Sequence, residues 1–245
     1  MENIKTSTKI ILTGAVIFLL ILVASPFAFR FGVMELMMSL RGVVISLIGA
    51  TLVLITALVY MMIANRNVLP KDRNLLVLGA LLSLIPIITI GPQIVKVRSV
   101  PAIHDITTDT ENPPMFNAIV KLRENAPNGL EYGSTELPAA ELGKLQKTAY
   151  PNIAPIETSL TVSEAISRAE KILEDQGLEI VSNDASNGLL EATDTTMWFG
   201  FKDDVVVRVS EEQQTNRVDV RSVSRVGVSD VGANAARIEK FLEAF

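Results

Sequence analysis

Three uncharged apolar stretches, at about residues 10–28, 43–64 and 75–95, constrain the chain more than any other feature. A helix rises about 1.5 Å per residue, so roughly 20 apolar residues cross the ~30 Å hydrocarbon layer of a bilayer. The first stretch is interrupted only by Thr13, Gly14, Ser25 and Pro26, and the third carries Pro86 and Pro92, which membrane helices tolerate. Lys5 and Lys9 ahead of the first stretch also suit a cleaved signal peptide. No clear small-x-small cleavage site follows, and two further spans do, which favours a retained helix. None of the three spans holds a charged residue, so there is no intramembrane ion pair or proton relay to suggest a transporter. They read as an anchor, with Gly49 and Ala50 offering a helix-packing surface.

Three spans put the two termini on opposite sides of the membrane. The flanking basic residues are Lys5, Lys9, Arg66, Lys71 and Arg73 on one side, and Arg30, Arg41, Lys96 and Arg98 on the other. The positive-inside rule gives most weight to the first span and to short loops, which places the N-terminus inside. The expectation is therefore a multi-pass protein of the bacterial inner (cytoplasmic) membrane with a periplasmic C-terminal domain.

Charge divides the chain at the same boundary. Residues 1–95 hold seven basic and three acidic residues, while the remainder holds fifteen and twenty-four, a net of −9. An acidic soluble portion argues against nucleic-acid binding, which needs a clustered basic surface. The chain has no cysteine and a single histidine, His104, so it has no thiol chemistry and any imidazole chemistry runs through that residue. No phosphate loop of Walker or Rossmann spacing occurs, and no cofactor is implied.

The soluble domain, residues 96–245, has two textures. The arm, 96–160, contains seven prolines and reads as extended segments and turns wrapped over a later core, with a short helix near 137–148. The core, 161–245, opens on the capping box Thr161-Val-Ser-Glu164 and an amphipathic helix that stops at Gly177. Four alternating strands follow, near 178–181, 188–195, 203–210 and 217–225, then a helix over about 231–245. That order specifies an α+β fold: a roughly four-stranded antiparallel sheet packed by helices.

Two places concentrate chemistry. His104, Asp105, Asp109 and Glu111 share nine positions with three threonines, a set able to hold a divalent ion or to act in acid–base catalysis. The spacing matches no standard metal loop, and Asp and Thr in a proline-bounded arm commonly bond their own backbone. The second place is the corner from Arg221 to Asn234. Arg221 and Arg225, an even number of residues apart on a strand, share a face, and Ser229 or Asp230 can cap a helix. With Asn234 these residues could bind a small anion, or could serve only to fix the turn. Ser222, Ser224 and Ser229 lack the Gly-x-Ser-x-Gly elbow of a nucleophile. Asp204 and Arg208 share a face and are expected to pair across strands with Arg217, Asp219, Arg221 or Arg225. Trp198, Phe199 and Phe201 either close a small core or stack on a ligand.

The segments His104–Phe116, Tyr150–Pro155, Asp203–Arg208 and Ser222–Asn234, in this order, resemble the DUF1499 family, a domain of unknown function, over about residues 99–245. The resemblance implies an envelope or membrane-associated setting and names no activity. Two functions fit these residues. One is a non-enzymatic membrane protein whose domain binds an envelope protein partner or a small anionic ligand. The other is a membrane-surface hydrolase using His104, Asp105 and Asp109, with Arg221 and Arg225 holding an anionic group.

Overall fold

The structure is a computed structural model that describes residues 4–63, 69–133, 137–212 and 215–245. The chain divides into two compact units, 1–96 and 97–245. Ala64 and Arg66, which bound the second predicted span and its loop, lie outside the described residues, as do two residues of the polar turn at 211–216.

The first unit is three helices, α1 (Thr6–Arg30), α2 (Leu36–Ile63) and α3 (Pro70–Ser99), each long and apolar enough to cross a membrane. Helices α1 and α3 run a few residues beyond their apolar stretches at both ends, and α2 begins seven residues ahead of its stretch, at Leu36. A bilayer offers little hydrophobic gain for helix association, so small residues and interhelical hydrogen bonds carry the packing. Gly49 receives the ring of Phe18 and Gly42 receives the side chain of Ser25, where any Cβ would collide. Ser46 Oγ donates to the carbonyl of Phe18 at 2.6 Å, and Ser39 Oγ to that of Ser25 at 2.7 Å. At the other end of α1, Ile11 packs with Ala57 of α2 and with Leu76 and Ala80 of α3.

The second unit is an antiparallel sheet with helices on one face. Its strands are β1 (Asp105–Thr107), β2 (Ile156–Thr158), β3 (Glu179–Asp184), β4 (Leu189–Thr195), β5 (Lys202–Glu211) and β6 (Asn216–Ser224). From β6 the order runs β5, β4, β3, while β1 and β2 share the outer side of β6, opposite Arg221–Val223 and Asn216–Val218 respectively. The four core strands match the sequence expectation. The arm adds the other two, each only three residues long and too short for alternation to show.

Helices α5 (Val162–Asp175) and α6 (Ala233–Ala244) pack on the face built from Leu190, Ala192, Val205, Val207, Val209, Val218 and Val220. Each leucine or valine of this layer contributes about 1.5–3 kcal/mol by leaving water. The capping box forms as written, with Thr161 Oγ1 accepting from the Glu164 amide and the Glu164 carboxylate accepting from the Thr161 amide. Gly177, at φ +85°, ends α5 in the left-handed conformation that glycine adopts without strain. The short helix expected near 137–148 is α4 (Ala139–Ala149). A 3-10 turn at Ile119–Arg123 has no counterpart in the sequence reading.

Candidate functional site

Strand alternation sends Leu189, Glu191, Thr193, Asp204, Val206, Arg208, Arg217, Asp219, Arg221, Val223 and Arg225 to the face away from α5 and α6. This face is ionic, and the arm covers it. Phe116 and Ile119 from the arm form a small apolar island with Val206 and Val223. Around that island lie three clusters of buried charge.

Asp204, fully buried, is the first hub. Its carboxylate accepts Nε and Nη2 of Arg225, both at 2.8 Å, Nη1 of Arg123 at 2.7 Å and Thr193 Oγ1 at 2.7 Å. Burial alone would raise its pKa, but the hydrogen bonds from Arg225, Thr193 and Arg123 outweigh it and hold the carboxyl below its ordinary value. The second cluster joins strand β1 to β6: Arg221 Nε and Nη2 meet Asp105 Oδ1 and Oδ2 at 2.9 and 2.7 Å. The same guanidinium donates to the carbonyls of Pro114 and Leu130 and lies 5.6 Å from the ring centroids of Phe116 and of Tyr132. The Tyr132 hydroxyl is buried without a hydrogen-bond partner among the described residues, and burial pushes its pKa up. The third cluster is nearer solvent, where Arg208 and Arg217 pair with both Asp219 and Asp109.

A fourth buried carboxylate has no cationic partner among the described residues. Glu191 is fully buried in β4 and accepts the amides of Asn117, Ala118 and Ile119, the last two at 2.7 and 3.1 Å. It caps the 3-10 turn from across the sheet and thereby fastens the arm. Gln146 of α4 does similar work on β1, donating to the Thr107 carbonyl at 2.7 Å and accepting its amide at 3.0 Å.

The residues singled out from the sequence are placed as follows. His104 Nδ1 lies 3.4 Å from the Val228 carbonyl, and among the described residues no hydrogen bond or ion pair joins His104 to Asp105 or Asp109. Asp105 is engaged by Arg221, and Asp109 by Arg217 and by the amides of Glu111 and Asn112. Arg221 and Arg225 share a face as expected, each holding a different carboxylate. Ser229, Asp230 and Asn234 belong to the turn into α6. Ser229 Oγ accepts the Val231 amide, and Asp230 accepts those of Gly232 and Asn234. Burial raises the Asp230 pKa against the pull of those two amides.

Asn234 lies on the helix-covered face. It donates to the His104 carbonyl at 2.9 Å and to Ser224 Oγ at 3.0 Å, and accepts from Ser222 Oγ and from Arg237 Nη1, each at 2.6 Å. Arg237 continues this network to Asp194 and Asp203. The sheet therefore separates the Arg221 and Arg225 guanidinium groups from Asn234, and the corner that is contiguous in sequence is divided in space.

Arg123, Glu191, Asp219 and Arg237 were not singled out as site residues. Glu191 is the one with a signal, an acid set among Leu189, Leu190 and Ala192 in a strand. Among the described residues no three His, Asp or Glu side chains are grouped to hold a metal.

Two kinds of space border these clusters. Beside His104 and Asp105, the cavity lined also by Glu131 and Leu142 measures about 20 Å³, close to the room one water needs. Along the arm, an open groove of about 670 Å³ runs between Thr108–Asn112, Lys147 of α4, the Pro151–Pro155 turn and Arg217. A second opening of about 270 Å³ adjoins it on the far side of Asp109 and Arg217.

A comparison with curated proteins finds no match. The pattern of a family described as a protein of unknown function (DUF1499) matches residues 105–245, from the first residue of β1 to the last of the chain, which is more than half its length. The arm from Asp105 onward, the ionic face and the helix-covered sheet fall within that match, and the chain belongs to the DUF1499 family.

Proposed function

We propose that the protein is a non-catalytic binding protein of the bacterial cytoplasmic membrane, working in upkeep of the cell envelope. In this reading its three helices anchor a periplasmic domain, and the groove along the arm receives an envelope protein partner. The observation that carries it is the groove itself. It is a roomy concavity beside the residues singled out from the sequence, and Asp109 and Arg217 in its lining are already paired, at 2.8 Å. Such a pair offers hydrogen-bonding edges without an unneutralised charge, which suits a polypeptide surface better than a small ion. The space beside His104, by contrast, accommodates about one water.

A photo-crosslinking residue at Lys147 or Thr110, in intact cells, tests the reading. A discrete adduct lost on Arg217→Glu supports it. An absent adduct at both positions, or one unchanged by Arg217→Glu, overturns it. Reporter fusions after Phe245 test the side of the membrane separately: activity of an alkaline phosphatase fusion is expected, and activity of only a cytoplasmic reporter refutes the placement.

A further inference from the structure

One end of the sheet is tied by its own chain to the bilayer. Helix α3 ends at Ser99 and strand β1 begins at Asp105. Six steps of extended chain span at most about 20 Å, so the start of β1 stays within that distance of the end of α3. The hydrogen-bond ladder shows what else lies at this end. The Ser224 amide donates to the His104 carbonyl at 3.0 Å, the Arg225 amide donates to the Lys202 carbonyl at 2.9 Å, and Lys202 is paired with Thr195. The β4–β5 connection, residues 196–201, therefore projects from the same end of the sheet at which the chain arrives from α3.

The side chains there suit an interface between water and hydrocarbon. Met197 at the tip is 76% exposed, and Trp198, Phe199 and Phe201 are half-buried, the two phenylalanine rings stacked at 4.7 Å. Beside the hairpin, Val228 and Leu122 are each 54% exposed, and Leu122 is held at this corner by the bond from Arg225 Nη1 to its carbonyl at 3.1 Å. Lys121 and Lys202 are exposed close by, in a soluble portion whose net charge is −9. Three carboxylates of this end, Asp194, Asp203 and Asp204, are turned to Arg237, Arg123 and Arg225, while Glu124 is exposed. Aromatic rings concentrate at the headgroup level of membranes, and lysines beside them meet lipid phosphate.

We propose that this end of the domain is a membrane-docking surface, with the 196–201 hairpin lodging Met197 and Trp198 among the lipid headgroups of the membrane that the chain spans. The surface holds this end of the domain against the bilayer. It follows from chain connectivity and applies on either side of the membrane, so it stands or falls independently of the proposed function.

Trp198 is the single tryptophan and reports on its own surroundings. The full chain is placed in nanodiscs of phosphatidylcholine and phosphatidylglycerol, and Trp198 fluorescence is quenched either by headgroup-level spin-labelled lipid or by aqueous iodide. Lipid quenching is expected to exceed iodide quenching about twofold or more, and Met197→Glu, at an exposed position, is expected to reverse that order with an unchanged unfolding midpoint. Quenching by iodide alone overturns the proposal. Shielding from both quenchers overturns it as well, because a protein surface then covers the hairpin.

Discussion

Asp204 of β5 and Arg225, the residue after β6, meet through two parallel hydrogen bonds of 2.8 Å, and Arg123 from the arm closes on the same carboxylate at 2.7 Å. One buried acid thus locks strand to strand and arm to sheet. Removing its charge leaves two guanidinium groups, Arg123 buried and Arg225 partly buried, without the carboxylate they share. Asp204→Asn is expected to destabilise the domain by about 3–5 kcal/mol. Arg217→Ala, whose side chain is 31% exposed, is expected to cost about 1 kcal/mol or less. Denaturant unfolding of the detergent-solubilised chain, followed by Trp198 fluorescence, checks both.

The same carboxylate sets an acid limit. Asp204 has a folded pKa below its ordinary value, so the folded state binds its proton less readily than the unfolded chain does. Its contribution is complete above the unfolded value of about 3.9 and is lost as pH falls through the lowered folded value. Asp230 works in the opposite direction, because its raised folded pKa makes stability decline as pH rises from about 3.9 through that raised value. In a pH series of unfolding midpoints, Asp204→Asn is expected to flatten the loss below about pH 4. An acid limb of wild-type steepness in that variant would assign the effect to other carboxylates.

Glu191→Gln tests how the arm is fastened. The carboxylate offers two acceptor oxygens to three amides, and glutamine offers one, so at least one of these amides loses its partner. The expected cost is about 1–3 kcal/mol. Hydrogen exchange at Asn117, Ala118 and Ile119 is expected to accelerate before exchange in β5 or β6 changes.

In the helical unit, Gly49→Ala puts a methyl group into the ring of Phe18. Separation of α1 from α2 by that overpacking is expected to cost about 1–3 kcal/mol. Combining it with Phe18→Leu is expected to recover part of the loss, measured as resistance to unfolding in a mixed detergent series.

The parts legible in the sequence are those set by local periodicity. The apolar runs around Val43 and Leu75, the capping box at Thr161, the stop at Gly177 and the alternation through Val205, Val207 and Val209 each depend on residues within a turn or two of one another. The shared face of Arg221 and Arg225 was legible for the same reason. Their partners were not, because Asp105 lies 116 residues from Arg221, and Asp204 draws one of its arginines from the arm. Charge alternating along a strand reveals that a face is ionic without telling which carboxylate meets which guanidinium. Nor does nearness in sequence keep residues on one side of a sheet: Asn234 and Arg225 are nine positions apart and lie on opposite faces.

Strand β1 leaves the ribosome near the start of the domain, and its ladder partner β6 is the last strand of the domain to follow. Asp105 therefore waits through more than a hundred residues of synthesis before Arg221 exists to receive it. Long-range pairing of this kind is slow, and it leaves the early segment open to wrong partners meanwhile. The seven prolines between residues 101 and 155 keep that waiting segment from forming regular strands of its own. A chain truncated before β6 would present an arm with no strand to join, so the domain closes as a whole, after its last strand has been delivered, or not at all.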